Sequence, residues 1–206
     1  MTTSFKATYP KEIEPTVQFH GHFCPGISIG IRAAQIALRE IGPHSKDEEV
    51  VAIVETDMCA VDAIQQMVGC TFGKGNLFHL DYGKNAFTFI RRSDSKAIRV
   101  MCRPNVFGKD PKREQLMARM DAGKASPEDQ RRFGQLQWER GLDILKAPDE
   151  ELFTVKAVDP AIPSHARLRH SVECEICSES TMETRTRRIN GQIVCLPCFQ
   201  KLDSRF

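Results

Sequence analysis

Between residues 28 and 41 apolar side chains return at helical spacing, with Ile29, Ala33, Ile36 and Ala37 on one face and Gly42-Pro43 stopping the run. That pattern predicts a helix, preceded by a short helix or turn over residues 11–17 and by the loop FHGHFCPG at residues 19–26. Next comes VVAIVE, residues 50–55, apolar or β-branched at nearly every position, as in a strand covered on both faces. A second helix is expected over residues 60–68, closed by Gly69 as a C-cap. After the glycine-rich loop GCTFGKGN, residues 69–76, the segments LFHL, NAFTFI and AIRVMC read as three strands joined by turns around residues 81–84 and 91–96. The pattern then turns helical over residues 111–122 and 127–146, with Ser126 as N-cap and Pro127 at the first helical position. Leu116, Met117 and Met120, then Phe133, Leu136, Leu142 and Leu145, are the expected buried stripes. ELFTVKAV, residues 151–158, is the last strand of this part.

A length of 206 residues suits one average domain with a small appendage. Apolar residues at 41% allow a core, and charged residues at 27% keep its surface hydrated. The 29 Lys and Arg against 27 Asp and Glu leave a net charge of +2, too little for a global attraction to nucleic acid or anionic lipid. Nucleic acid is therefore not an expected partner, and any such binding needs a local patch. No apolar run approaches the ~20 residues that a membrane-spanning helix needs, and residues 1–15 lack the pattern of a secretory signal. A cytoplasmic location is expected. There, eight cysteines point to metal and thiol chemistry rather than to disulfides.

Four of the cysteines fall in two pairs, Cys174-x2-Cys177-x17-Cys195-x2-Cys198. Thiolates two residues apart can face one ion at ~2.3 Å, and two such pairs complete a tetrahedron with no open position. The spacing predicts a structural zinc site at these four residues, in a segment of ~35 residues too short to bury much core without a staple. Asn190-Gly191 signals a hairpin and LPCFQKL a short helix. Knuckle, hairpin, knuckle and helix is the order of a treble-clef finger. Pro160, Pro163 and the polar, basic run 164–171 look like a linker, so the expected division is a core over 1–161, a linker over 162–172 and a finger over 173–206. Arg167, Arg169, His170, Arg185, Arg187 and Arg188 form a basic cluster. It reads as a phosphate-contacting patch, a protein contact surface or a solvated face.

His20, His22 and Cys24 place two imidazoles and a thiol within five residues, a metal-site composition. Alternate residues of an extended segment point the same way, and Cys59 arrives from the end of the first strand. A core metal is expected on His22 and Cys59 with His20 or Cys24 as third ligand, leaving one position open. Asp57 is the candidate base beside it and Glu55 a further oxygen donor. Asp62 reads as a first-turn helix acid, and Cys70 and Cys102 as core cysteines. The loop ending in Lys74-Gly75-Asn76 is not a P-loop: only three residues separate Gly69 from Gly73-Lys74, and no Ser or Thr follows the lysine. Lys74 is either an anion contact or part of a structural turn.

Taken together, HGHFCPG at 20–26, ETDMCAVDAIQ at 55–65, GCTFGKGNL at 69–77 and DYGK at 81–84 resemble the FmdE family, the proteins named for their association with formylmethanofuran dehydrogenase. The C-terminal segment is similar to the treble-clef finger that some members append and to DksA/TraR-type fingers. The resemblance implies a thioredoxin-like α+β core, with a mixed sheet flanked by helices and a metal-binding active site. On it, Asp57, Cys59 and Lys74 are candidate catalytic residues. His20, His22, Cys24 and Cys59 are candidate ligands for a second zinc or other transition metal. It further implies an accessory or enzymatic role in one-carbon or redox metabolism, with components of a molybdenum or tungsten formylmethanofuran dehydrogenase as partners. The competing expectations are a non-enzymatic module whose finger docks protein or nucleic acid, and a metal-delivery protein for a molybdenum or tungsten enzyme. Cys24 is followed by Pro-Gly-Ile, so the core lacks the Cys-x-x-Cys of dithiol exchange. A homodimer is expected, because a small finger on a linker can pack on a neighbouring copy of the chain.

Overall fold

Val50, Val51, Ile53 and Val54 favour extended backbone, and they form the inner strand β1 (Val50–Val54) of a five-stranded sheet. The computed structural model describes residues 9–104, 106 and 110–203, so the first eight residues of the expected core lie outside the described residues. Strand β2 (Leu77–His79) runs parallel to β1, while β3 (Ala86–Arg91), β4 (Ala97–Cys102) and β5 (Phe153–Ala157) continue antiparallel, giving the order β2-β1-β3-β4-β5. A parallel pair requires a crossover, and residues 55–76 supply it. This crossover contains α3 (Ala60–Ala63), which passes directly into a π-helical turn, Ile64–Val68, before Gly69 closes it at φ 79°. The single regular helix expected over 60–68 is thus split, and Gln66 in the wide turn accepts a 2.7 Å hydrogen bond from Thr16.

Alternation along the strands gives the sheet two faces. Ala52, Val54, Phe87, Phe89, Ile98 and Val100 join Ile29, Ala33 and Ile36 of α2 (Pro25–Glu40) in the main core. On the other face Val51, Ile90 and Ala97 pack with Phe78 and Val158. The opposite side of α2 is covered as well: Ile27 and Ile31 meet Val17 of α1 (Glu14–His20), Phe23, and Trp138, Leu142 and Leu145 of α5 (Pro127–Lys146). Helix α2 is therefore buried nearly all round, which is why small residues alternate with large ones along it. The result is an α+β unit with a mixed sheet flanked by helices.

Two expectations need correction. Helix α4 (Pro111–Asp121) buries no residue, and Met117 and Met120 are exposed, so the stripe read there faces outward. In α5 the fully covered positions are Gly141 and Ile144, because the helix approaches so closely that a Cβ on Gly141 would lie 2.7 Å from the Phe23 ring. The capping box of α5 forms at Ser126 and Asp129. Residues 149–152, partly assigned to a strand from the sequence, make a helical turn, α6 (Asp149–Leu152).

The C-terminal end of α5 is sealed by an arginine from α2. Arg32 donates to the carbonyls of Ile144, Leu145 and Ala147 at 3.0, 2.9 and 2.5 Å and to Asp149 at 2.5 Å. It thereby satisfies carbonyls that a helix end otherwise leaves without partners. Arg32→Met should cost about 2–3 kcal/mol, since it strands buried acceptors; Asp149 keeps a second bond to Arg39. Urea unfolding of the first unit checks this, and a loss under about 0.5 kcal/mol would contradict the sealing role.

The chain divides after His165, and residues from Ala166 on form a second unit. Strand β6 (Ser171–Glu173) pairs with β7 (Ser180–Met182), and β8 (Thr186–Ile189) with β9 (Gln192–Cys195), followed by α7 (Leu196–Asp203). Ser171 and Val172, read as linker, thus belong to a strand. Asn190 at φ 50° and Gly191 at φ 83° make the tight turn that their dipeptide announces. Among the described residues no helix is long and apolar enough to cross a membrane.

Candidate metal centre

Helix α1 ends abruptly because Gly21 adopts φ 91° and its N–H bonds back to Val17, a conformation that glycine enters without a Cβ penalty. Three residues on, Cys24 caps α2, its Sγ accepting from the Ile27 N–H at 3.4 Å. The short loop brings three donors together: the ligand atoms of His20, His22 and Cys24 all lie within 4.8 Å of one another. His20 Nε2 is 3.9 Å from Cys24 Sγ, and the two imidazole rings are 4.4 Å apart at 36°. Cys59, at the N-cap of α3, stands beside this group rather than in it. A Cβ on Gly26 would fall 3.0 Å from Cys59 Cβ, 3.4 Å from its sulfur and 3.7 Å from Cys24 Sγ. Both sulfurs therefore border the bare face of Gly26.

One partner escaped the sequence reading. Asp62 lies in the first turn of α3 as expected, but its Oδ2 also sits 2.7 Å from His20 Nδ1, across 42 positions of chain. A carboxylate at Nδ1 selects the Nδ1–H tautomer and leaves Nε2, the nitrogen near Cys24, with a free lone pair. Burial lowers the His22 pKa, helped by His20, so this ring too favours the neutral form that binds metals. Burial pushes the Cys24 thiol up to about 11, opposed by the Ile27 amide and reinforced by Cys59. This donor set fits a transition metal ion, whose charge would stabilise the thiolate.

The group opens on a cleft of about 370 Å³ whose walls include His22, Cys24, Gly26, Met58 and Cys59. A larger cleft of about 630 Å³, bordered by His44, Glu48, Arg91 and Arg92, holds none of the grouped donors. Other candidates are placed elsewhere. Glu55 is committed to Arg99 through a two-pronged pair at 2.8 and 2.9 Å, which corrects its reading as a metal donor. Asp57 is exposed and does not line the cleft. Lys74 donates to the Ser45 carbonyl at 2.7 Å and lies outside the cleft wall, in a loop pinned by fully buried Asn76. The Lys74 contact is the structural alternative read from the sequence. Cys70 is fully buried and Cys102 half-buried, and burial pushes both thiols up to about 12, as suits core cysteines.

The second group is Cys174, Cys177, Cys195 and Cys198, again within 4.8 Å. Backbone amides of Cys177, Cys195 and Ile176 pull Cys174 down to about 6, while Cys195 and burial push Cys198 up to about 12. Four thiols this close cannot all ionise without a cation, and a zinc ion at their centre removes the conflict.

Comparison with known proteins agrees with this division. The family described as FmdE, molybdenum formylmethanofuran dehydrogenase operon, matches residues 19–154. The prokaryotic dksA/traR C4-type zinc finger matches residues 167–203, which implies a structural zinc ion. A protein of Archaeoglobus fulgidus named "Probable S-adenosyl-L-methionine-binding protein" is 35% identical over 192 residues, covering 88% of this chain and 50% of its own length. The chain thus spans about half of that relative. A crystal structure of an FmdE-like protein of tungsten formylmethanofuran dehydrogenase from Syntrophus aciditrophicus is 23% identical, with a TM-score of 0.59 over 99% of this chain and 100% of the other. At that identity the likeness is one of fold.

Proposed function

We propose that this chain, which belongs to the FmdE family and carries a C4-type zinc finger after its family domain, holds a second transition metal ion, most simply zinc, at His20, His22 and Cys24. In this reading it serves one-carbon or redox metabolism beside a molybdenum or tungsten formylmethanofuran dehydrogenase. The observation that carries the proposal is the convergence of three donors within 4.8 Å, with His20 oriented by Asp62. Three protein ligands are what a catalytic zinc site uses, whereas a purely structural one uses four. Such an ion supplies Lewis acidity to whatever enters the cleft. Cys59, at the inner wall, is placed to hold or transfer a proton there, and Met58 and Pro25 exclude water from one side.

Elemental analysis of the purified full chain should give two zinc ions. His22→Ala and Cys24→Ser should each leave one, with an unchanged circular-dichroism spectrum. One zinc in the native protein, lost entirely on Cys174→Ser, would instead support a module in which the finger docks a partner and the core merely carries it. The Archaeoglobus relative's name adds S-adenosyl-L-methionine to the ligands to be tried, by equilibrium dialysis, although half of that relative has no counterpart here.

A further inference from the structure

The far wall of the same cleft is built from residues that no motif marks. Arg113 in the first turn of α4, Gln137 on α5 and Asn85 at the entrance to β3 complete the lining opposite His22 and Cys24. None of the residues lining this cleft is acidic, so Arg113 is its one permanent charge. Gln137 Oε1 accepts from Arg113 Nε at 3.0 Å, and among the described residues no carboxylate pairs with the guanidinium. With Nε held, the terminal edge carrying both NH2 groups is left for a bidentate acceptor. The Asn85 carbonyl is engaged by the Cys102 N–H at 2.9 Å, while its side-chain amide has no hydrogen-bond partner among the described residues.

We infer that this wall is the recognition site for a monocarboxylate, which Arg113 grips end-on with Asn85 as a second donor, while the rest of the molecule lies along Pro25, Met58 and Ala60 toward His22 and Cys24. The inference rests on the metal-site reading of the same cleft and names the class of its substrate. A single arginine and two neutral amides match one negative charge. A phosphate dianion would call on helix N-terminal amides, but the Ile27 N–H at the start of α2 is already directed at Cys24 Sγ and Pro25 has none to offer. A volume of about 370 Å³ accommodates a small organic acid and little more.

The test uses the metal-loaded full chain and three probes: butyrate, its uncharged isostere butyramide, and ethyl phosphate. Binding is read by calorimetry and by the fluorescence of Trp138, the chain's one tryptophan and the residue after Gln137. Butyrate is expected to saturate the site, and Arg113→Gln to weaken it about tenfold or more, with Arg113→Lys intermediate because the fork is lost but the charge kept. Circular dichroism of each variant must match the native spectrum, which a half-buried first-turn position should allow. Butyrate binding should survive in His22→Ala, since the grip is on the arginine. Equal binding by native protein and Arg113→Gln, equal binding of butyramide, tighter binding of ethyl phosphate, or no butyrate binding would each overturn the inference. Failure of the metal reading shows separately, as a zinc count that His22→Ala does not change.

Discussion

Replacing Cys174 by serine, or stripping zinc with a strong chelator, is expected to unfold residues 171–203 and leave the five-stranded unit intact. The second unit has very little else to hold it: its buried cluster is Val194 with three of the four cysteines, and Ile189 and Phe199 only partly covered. Its sheets are two-stranded, and isolated two-stranded pairs are marginal in water. Zinc binding to such modules contributes about 10–16 kcal/mol at neutral pH, which is their folding free energy in effect. Cys174 is the most consequential position, because its sulfur also accepts the Cys195 N–H at 3.3 Å and so ties the two knuckles together. Limited proteolysis should cut the chelated protein within this segment while residues 50–102 stay protected. Protection of both parts after zinc removal would show that the finger folds without its ion.

Gly30→Ala should be nearly as damaging to the first unit. A Cβ at position 30 would lie 2.3, 2.6 and 2.8 Å from the carbonyl oxygen, Cα and carbonyl carbon of Ala60. No rotamer change relieves a clash with backbone, so α2 and α3 must separate. Overpacking usually costs about 1–3 kcal/mol, and contact between two main chains puts this case at the upper end, about 3 kcal/mol. For a unit of this size the thermal midpoint should fall by about 6–12 °C. Movement of α3 also carries Cys59 away from Cys24 and Asp62 from His20, so the zinc count should fall from two toward one in the same variant. A midpoint within about 2 °C of native, with two zinc ions retained, would mean that the helices do not cross as closely as described.

Much of this protein was legible before any fold was known. The strands at residues 50–54, 86–91 and 97–102 and the helices at 25–40 and 127–146 follow from periodicity, because burying one face of an element imposes a repeat on its own residues. The finger was legible because thiolate coordination needs two donors a fixed short distance apart, and that distance is written in each Cys-x-x-Cys. His20, His22 and Cys24 were visible as a candidate group for the same reason: they sit within five residues and one short loop.

What the tertiary structure decided is which groups from distant parts of the chain meet. Asp62 reaches His20 across 42 positions, and Glu55 is withdrawn from the site by Arg99 across 44. Lys74 is turned to the Ser45 carbonyl, and Arg113 meets Gln137 only because α4 and α5 pack side by side. Spacing along the chain carries no information about such pairs. Their approach is set by how closely whole elements can pack, and in this unit that depends on the missing side chains of Gly26, Gly30 and Gly141.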